Sequence, residues 1–369
     1  MNIKLYGLIF SLLTTSLMGC GSKTNYEPGD LLTLTSIEMS DEYGESTLIQ
    51  YGSYDIVVDS GSRDDANHVE EVLKNKITDN TIDLLVVTHP HGDHIGGIIA
   101  GALDDFKVNQ IVDYGYTFNT SGTDHISNSS YVNQYITKRN SWVNNGATYH
   151  SVLAQMKIGK TLEIDKDNDL TLRWLKNDYY YDDVFPNSSC GSDNPNTTSV
   201  SFVLEYKYWN IVMCGDVDTT YGEKSIIANH EKLFKDENKR VLLKATHHAS
   251  STSMGYDFLD WTRPEMIFIS TAMLDSVCAP NQVVLGSGDG EQNHPNSSTV
   301  RRIKKTTTNV YWNGINGDIT FTTDGVNDMT MVGAGRSKNY YEKGTTDIVD
   351  AVSEKQTKFF DSKFYQYYK

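Results

Sequence analysis

Cysteine is scarce in this chain, and none of it comes in close pairs. The four residues Cys20, Cys190, Cys214 and Cys278 form no Cys-x-x-Cys, so neither a zinc ribbon nor a disulfide framework is expected. Cys214 sits in a strand-like run and reads as a small buried apolar residue; Cys190 and Cys278 leave a disulfide open. Basic residues are in the minority, 32 against 48 acidic ones, for a net charge of −16. That balance opposes tight, nonspecific binding of duplex nucleic acid, which needs a basic footprint. It does not exclude a nuclease, whose metal ions bring positive charge, and it also suits plain solubility. Proline is sparse, 7 beside 28 glycines, which argues against low complexity, and no internal repeat occurs. The apolar stretch Leu5–Leu17 is too short to span a bilayer comfortably. What is left is a chain of 369 residues with room for one large domain or two around a sizeable core.

Residues 1–20 read as a targeting segment, with Lys4, an apolar stretch and then small residues. Leu17-Met18-Gly19-Cys20 resembles the bacterial lipobox, which implies lipidation at Cys20 and a new N-terminus there. An ordinary signal peptide or a short anchor is the alternative. Residues 21–30 then form a tether, and the expected location is outside the cytoplasm, on the cell membrane through the lipid alone or secreted. No protein partner can be inferred.

The pattern predicts strands over Leu31–Ile37, Thr47–Tyr51 and Asp55–Val58, a helix over Asn67–Lys76, a buried strand over Ile82–Thr88 and a helix over Gly96–Leu103. Further strands are expected at Leu170–Leu175, Val241–Ala245 and Met266–Ser270, and further helices at Tyr131–Asn144, Tyr221–Phe234 and Ser297–Lys305. Ser199–Tyr206 with Asn210–Met213, and Val310–Trp312 with Asp318–Thr322, read as hairpins; 116–130 and 179–196 read as long loops. The β-rich start and later βα alternation point to a mixed sheet with helices outside. Residues 31–330 form the expected domain. Residues 331–369 form a tail whose role the sequence does not reveal; Asp347–Phe360 could be helical, and the strongly aromatic end could be a docked terminal segment.

The chemistry concentrates in His89-Pro90-His91-Gly92-Asp93-His94, at the end of the apolar run Leu84–Val87 and ahead of Gly96-Gly97. Three imidazoles and a carboxylate within six residues at a strand end suit two transition-metal ions side by side. Two such ions need about seven protein donors between them, so other strand ends must contribute. Asp216 closes the strand Val212–Cys214 after Gly215, and its carboxylate can bridge two cations. His247 and His248 follow the strand Leu242–Ala245. Adjacent strand residues point to opposite faces, so the two should not play equal roles; His247 is taken as the ligand and His248 as the residue that orients substrate or stabilises a leaving group, with the reverse assignment left open. Asp59 can accept from a ligating imidazole, behind the metal ligands, or simply cap its strand. His294 can reach the site as a substrate-binding imidazole or cap a turn.

Together these residues resemble the metallo-β-lactamase-fold hydrolases. Within them, His89 to Gly97, Asn196-Thr197-Thr198-Ser199-Val200, Leu243 to Ser250, Asn293-His294-Pro295 with Val300 to Ile303, and Gly317 to Phe321 are most similar to the extracellular hydrolase domain of ComEC-type DNA-uptake proteins. The resemblance implies an α/β fold, a four-layer αβ/βα sandwich. It implies a dinuclear site, with His89 and His91 on one metal, Asp93, His94 and His247 on the other, and Asp216 between them. Zn2+ is expected, with Mn2+ as the alternative. Many relatives place a further His before the Asp216 hairpin; 194–199 has none, so Asn196 or water would complete the first site. Asp93 and His248 are the residues expected at the chemistry, and Ser250, Ser251, Ser253, His294 and Asn196 those expected to touch substrate. The implied activity is hydrolysis of a phosphodiester by a metal-bridging hydroxide, in a nucleic acid or nucleotide. Alternatives are a phosphocholine-type head-group ester on a cell-surface polymer and a catalytically idle binding lipoprotein; a β-lactam fits less well.

Overall fold

The computed structural model describes residues 26–39, 44–115, 129–159, 161–180, 195–272, 294–337, 340–341, 348–350 and 355–368. Cys20, Cys190, Cys278 and the greater part of both long loops fall outside these residues. No helix among the described residues is long and apolar enough to cross a membrane.

The first half of the chain builds one sheet. Its elements are β1 (Leu32–Ser36), β2 (Thr47–Tyr51), β3 (Tyr54–Val58), α1 (Ala66–Lys76), β4 (Thr81–Val87), α2 (Gly92–Ala100), β5 (Lys107–Asp113), α3 (Ser129–Asn144), β6 (Thr148–Ser151) and α4 (Val152–Ile158). The second half adds β7 (Thr161–Asp165), β8 (Leu170–Trp174), β9 (Phe202–Tyr206), β10 (Trp209–Met213), α5 (Gly222–His230), β11 (Arg240–Lys244), α6 (Tyr256–Thr262), β12 (Met266–Ile269), α7 (Ser297–Thr306) and β13 (Val310–Trp312). A short α8 (Asn313–Asn316) leads to β14 (Ile319–Thr323) and β15 (Thr330–Gly333). The sheets run β15-β14-β1-β2-β3-β4-β5-β6 and β13-β12-β11-β10-β9-β8-β7. In each, the strands joined through helices are parallel: β3 to β6, and β10 to β13.

Side-chain alternation sorts the second sheet into two faces. Leu204, Ile211, Met213, Leu242 and Phe268 enter the larger core. Their neighbours Val203, Val212, Leu243, Ile267 and Ile269 enter a second core with Ile226, Phe258, Leu259, Val300 and Ile303 of α5, α6 and α7. The larger core also holds Val69, Val72 and Leu73 of α1 and Ile95, Ile98 and Ile99 of α2. The order is therefore helices, sheet, sheet, helices. β4 is buried on both faces from Leu84 to Val87, which is why it reads as a continuous apolar run. α1 buries Ala66, Val69, Val72 and Leu73 and ends with Lys74 and Lys76 in its last turn, favourable at that pole of the helix.

The structure corrects four readings. Val310–Trp312 and the strand at 319–323 are not a hairpin. β13 pairs in parallel with β12 in one sheet, and β14 pairs with β1 in the other. α8 carries the chain across, and Asn313 ties the crossing by donating to the Ile37 carbonyl at 2.9 Å and accepting from Thr271 N at 3.0 Å. The second helix starts at Gly92 rather than Gly96, so Asp93, His94 and both glycines lie on it. Within 347–360, Ile348–Asp350 is a strand paired with Tyr340–Tyr341, and Phe359–Asp361 is a 3₁₀ turn. Residues 26–30, expected as tether, are docked: Gly29 N donates to the Asp324 carbonyl at 2.9 Å, and Lys207 Nζ to that of Glu27 at 2.6 Å. β5, β6, α4, β7 and α6 carry no reading from the sequence pattern. The aromatic tail completes the second core, where Phe359, Phe364 and Tyr368 are buried and Phe359 and Tyr368 meet the edge of Trp312.

Glycine in the interior of α2 has a packing reason. A Cβ on Gly97 would lie 2.0 Å from the Ser60 carbonyl oxygen and one on Gly96 2.7 Å from Arg63 N, so helix and loop touch backbone to backbone. Gly97→Ala is expected to destabilise the fold by about 1–3 kcal/mol through overpacking, read as a lower urea midpoint; an unchanged midpoint would contradict this packing.

Candidate metal centre

The site forms where strands of both sheets end. Asp59 follows β3, residues 88–94 follow β4, Asp216 follows β10 and residues 246–250 follow β11. Asp93 Oδ2, His94 Nε2, Asp216 Oδ2 and His248 Nε2 converge: His94 and His248 lie 3.3 Å apart, and Asp216 is 3.2 and 3.1 Å from them. Asp93 is 3.5 Å from His94 and 3.2 Å from His248. All four offer ligand atoms within 4.8 Å of one another. His89 Nε2 stands 3.9 Å from the same Asp216 oxygen and 3.1 Å from His91 Nδ1.

The residues behind the donors set their orientation. Asp59 Oδ2 accepts from His94 Nδ1 at 2.6 Å, while Thr88 N and Oγ1 donate to Asp59 at 2.8 and 2.6 Å. His248 Nδ1 donates to the Ser270 carbonyl at 2.7 Å. Both rings thus turn Nε2 toward the centre. Ser199 Oγ accepts from Asp216 N at 3.0 Å.

Charge follows from this crowding. Burial pulls His94 down, but Asp216, Asp93 and Asp59 outweigh it and hold the imidazole well above its ordinary range. His248 is raised against burial by Asp216 and Asp93. Burial pushes Asp216 up, yet His248, His94 and Lys244 hold it well below the usual carboxylate range. Burial, His94 and His91 keep His89 well below the normal imidazole value, and burial brings His247 down to about 4.

The histidine pair departs from the strand argument. β11 ends at Lys244, and His247 (φ 47), His248 (φ 51) and Ala249 (φ 61) form a left-handed turn, so the alternation of a strand does not reach them. His248, not His247, stands in the four-residue group. His247 Nε2 is 3.9 Å from Asp216 Oδ2 and 3.3 Å from Asn196 Nδ2, and its ring centre is 5.3 Å from that of His294. Its side chain is 20 % exposed, against 0 % for His248. Asn196, His247 and His294 therefore share one side of the centre. The hydroxyls of Ser250 and Ser253 have partners within the turn. Ser253 is buried and its hydroxyl donates to the Thr246 carbonyl at 2.7 Å, while Ser250 Oγ meets Thr252 Oγ1 at 3.1 Å. Ser251 is half-buried and its carbonyl accepts from Arg302 at 3.1 Å.

Several residues here went unread. Thr88 carries only the signal of preceding the histidine motif. Lys244 is a charge within the apolar strand Val241–Ala245. Glu223 lies in the helix read over Tyr221–Phe234 and Glu45 in a turn-like stretch, and nothing in the sequence marks either carboxylate.

Residues 40–152 match the model of the Metallo-beta-lactamase superfamily. The match takes in Asp59 and the whole of the 89–94 motif, under a third of the chain. Similar solved structures include the metallo-β-lactamase fold protein YhfI from Bacillus subtilis, at 13% identity and TM-score 0.41, covering 77% of this chain and 96% of that one. A diphosphatase of the PhnP family is similar at 12% identity and TM-score 0.36, covering 65% and 86%. Human tRNase Z, short form, is similar at 13% and 0.35, covering 64% and 92%. Likenesses this distant say nothing of what the chain acts on. No curated protein sequence matches it.

Glu223 fixes the histidine turn from behind. Its carboxylate accepts from Met254 N at 2.7 Å, Gly255 N at 3.0 Å and Thr246 Oγ1 at 3.1 Å. Burial nevertheless pushes its pKa from 4.5 up to about 7. A raised carboxylate favours its protonated form in the fold, so its contribution is full below pH 4.5 and is lost as pH rises to about 7. Glu223→Gln should shrink the stability lost between those limits by about 1–3 kcal/mol, measured by urea unfolding at both ends; an equal loss in both proteins contradicts the assignment.

Proposed function

We propose that the chain is a metal-dependent hydrolase of phosphodiesters that works outside the cytoplasmic membrane. One observation carries the reading: two carboxylates and two imidazoles from separate strand ends meet with their donor atoms within 4.8 Å. Such a group is balanced by protons or by a cation, and the donor set of nitrogen and carboxylate oxygen suits a transition-metal ion. The superfamily match over residues 40–152 supports metal-dependent hydrolysis, and the Leu17–Cys20 segment supports the location.

Asp93, His94 and His248 would hold one cation, His89 and His91 the other, with Asp216 between them. Bound there, two divalent ions, Zn2+ by preference or Mn2+, supply an activated water and positive charge opposite the phosphoryl oxygens. The protein's part is orientation. Asp59 and the Ser270 carbonyl fix the rings of His94 and His248, and Thr88 fixes Asp59. His247, His294 and Asn196 lie together on one side of the centre, where they can donate to the non-bridging oxygens or to the leaving group.

Hydrolysis of bis(p-nitrophenyl) phosphate by metal-loaded protein tests this. Asp93→Ala and His248→Ala should lower kcat/KM by about 10³-fold or more and lose bound metal, with far-UV dichroism unchanged. His247→Ala should keep its metal and lose about 10- to 100-fold in kcat. Wild-type turnover in Asp93→Ala would overturn the proposal. Metal loss in His247→Ala but not in His248→Ala would restore the assignment expected from strand alternation.

A further inference from the structure

Lys244 is charged where its strand is otherwise apolar. Along β11, Val241 and Leu243 face the helix side and Leu242 faces the core shared with the other sheet; Lys244 follows Leu242 onto that inner face. Its side chain is fully buried. Nζ meets three oxygens: Glu45 Oε2 at 2.5 Å, the Gly215 carbonyl at 3.0 Å and Asp216 Oδ1 at 3.3 Å. Burial works against the ammonium, but Glu45 and Asp216 outweigh it and push its pKa up to about 12.

This divides the carboxylate of Asp216. Oδ1 faces the ammonium, whereas Oδ2 is the atom 3.1–3.2 Å from His248 and His94 and 3.9 Å from His89 and His247. A free carboxylate could rotate and give both oxygens to one metal or one to each; an oxygen held from behind cannot. Glu45 keeps the ammonium in place from the far side. Glu45, Asp59 and His94 also offer ligand atoms within 4.8 Å of one another.

We propose that Lys244 is a positioning residue, which holds Asp216 Oδ1 so that Oδ2 alone bridges the two metals. The proposal rests on the dinuclear reading above. The plainer role would be a staple between sheets, since Glu45 precedes β2 and Lys244 lies on β11. Removing one partner of a buried pair leaves a lone charge, whereas replacing both with neutral groups is often tolerated. The test therefore uses the double variant Lys244→Met/Glu45→Gln. Lys244→Gln, whose amide can still donate to Gly215, is the second variant and serves if the first does not fold.

Full-length protein is titrated with Co2+, whose visible absorption and paramagnetism report coordination and metal–metal coupling. Wild type is expected to bind two ions with a coupled EPR signal. Either folded variant is expected to bind the second ion at least about tenfold more weakly and to give the signal of uncoupled ions. Two ions bound with wild-type affinity and coupling in a folded variant would leave Lys244 a staple and overturn the proposal, whatever happens to Tm. A wild type that binds fewer than two ions overturns the dinuclear reading itself and the inference with it.

Discussion

Like charges and lone pairs packed face to face are unstable unless a cation joins them, and this constraint organises the molecule. Asp93, Asp216, His94 and His248 come from three separate strand ends and meet within 4.8 Å. Without metal, protons on the imidazoles balance the carboxylates, which is why His94 and His248 are raised while Asp216 is depressed. The two parallel halves of the sheets bring those ends to one edge. Carboxyl ends of parallel strands, and the turns that follow them, are where such folds expose chemistry; here two sheets contribute to one centre.

Holding that arrangement takes strained backbone, and three consecutive residues of the histidine turn carry it. His247, His248 and Ala249 all have positive φ, as does Asp59 (φ 54). Each such residue costs of order 1–3 kcal/mol and persists only when its surroundings over-determine it. The surroundings are visible. Glu223 binds Thr246, Met254 and Gly255, Ser253 donates to Thr246, and Arg302 of α7 spans the carbonyls of Ser251, Ser253 and Met254. These polar contacts add to the burial of Ala249 and Met254 in the second core. Gly215, also at positive φ (50), lies so close to Ser199 that a Cβ would stand 2.8 Å from its side chain, which lets Asp216 turn toward the histidines.

Much of the fold was legible because its strongest elements carry their own pattern. β4 and β10 read as apolar runs, α1 as a helical face, and the 89–94 motif as a ligand cluster. Readings failed where partners are distant in sequence. Nothing near Val310–Trp312 says that the next strand belongs to another sheet; that is settled by β1, some 280 residues earlier. The alternation argument does not decide between His247 and His248, for a local reason: alternation holds only while the strand lasts, and it stops two residues before them. Ser250 and Ser253 looked free because the sequence does not reveal which hydroxyls the turn consumes. Lys244 was visible as an oddity, but its meaning depends on Glu45 and Asp216, which lie far from it along the chain.

The central claim is that separate strand tips hold two metal ions about one carboxylate. Anomalous diffraction from a crystal grown with Zn2+ tests it most directly. The account requires two peaks, one at about 2.0–2.3 Å from donor atoms of Asp93, His94, His248 and Asp216, the other at similar distances from His89 and His91. A single peak away from Asp216, or none along this edge, would contradict it.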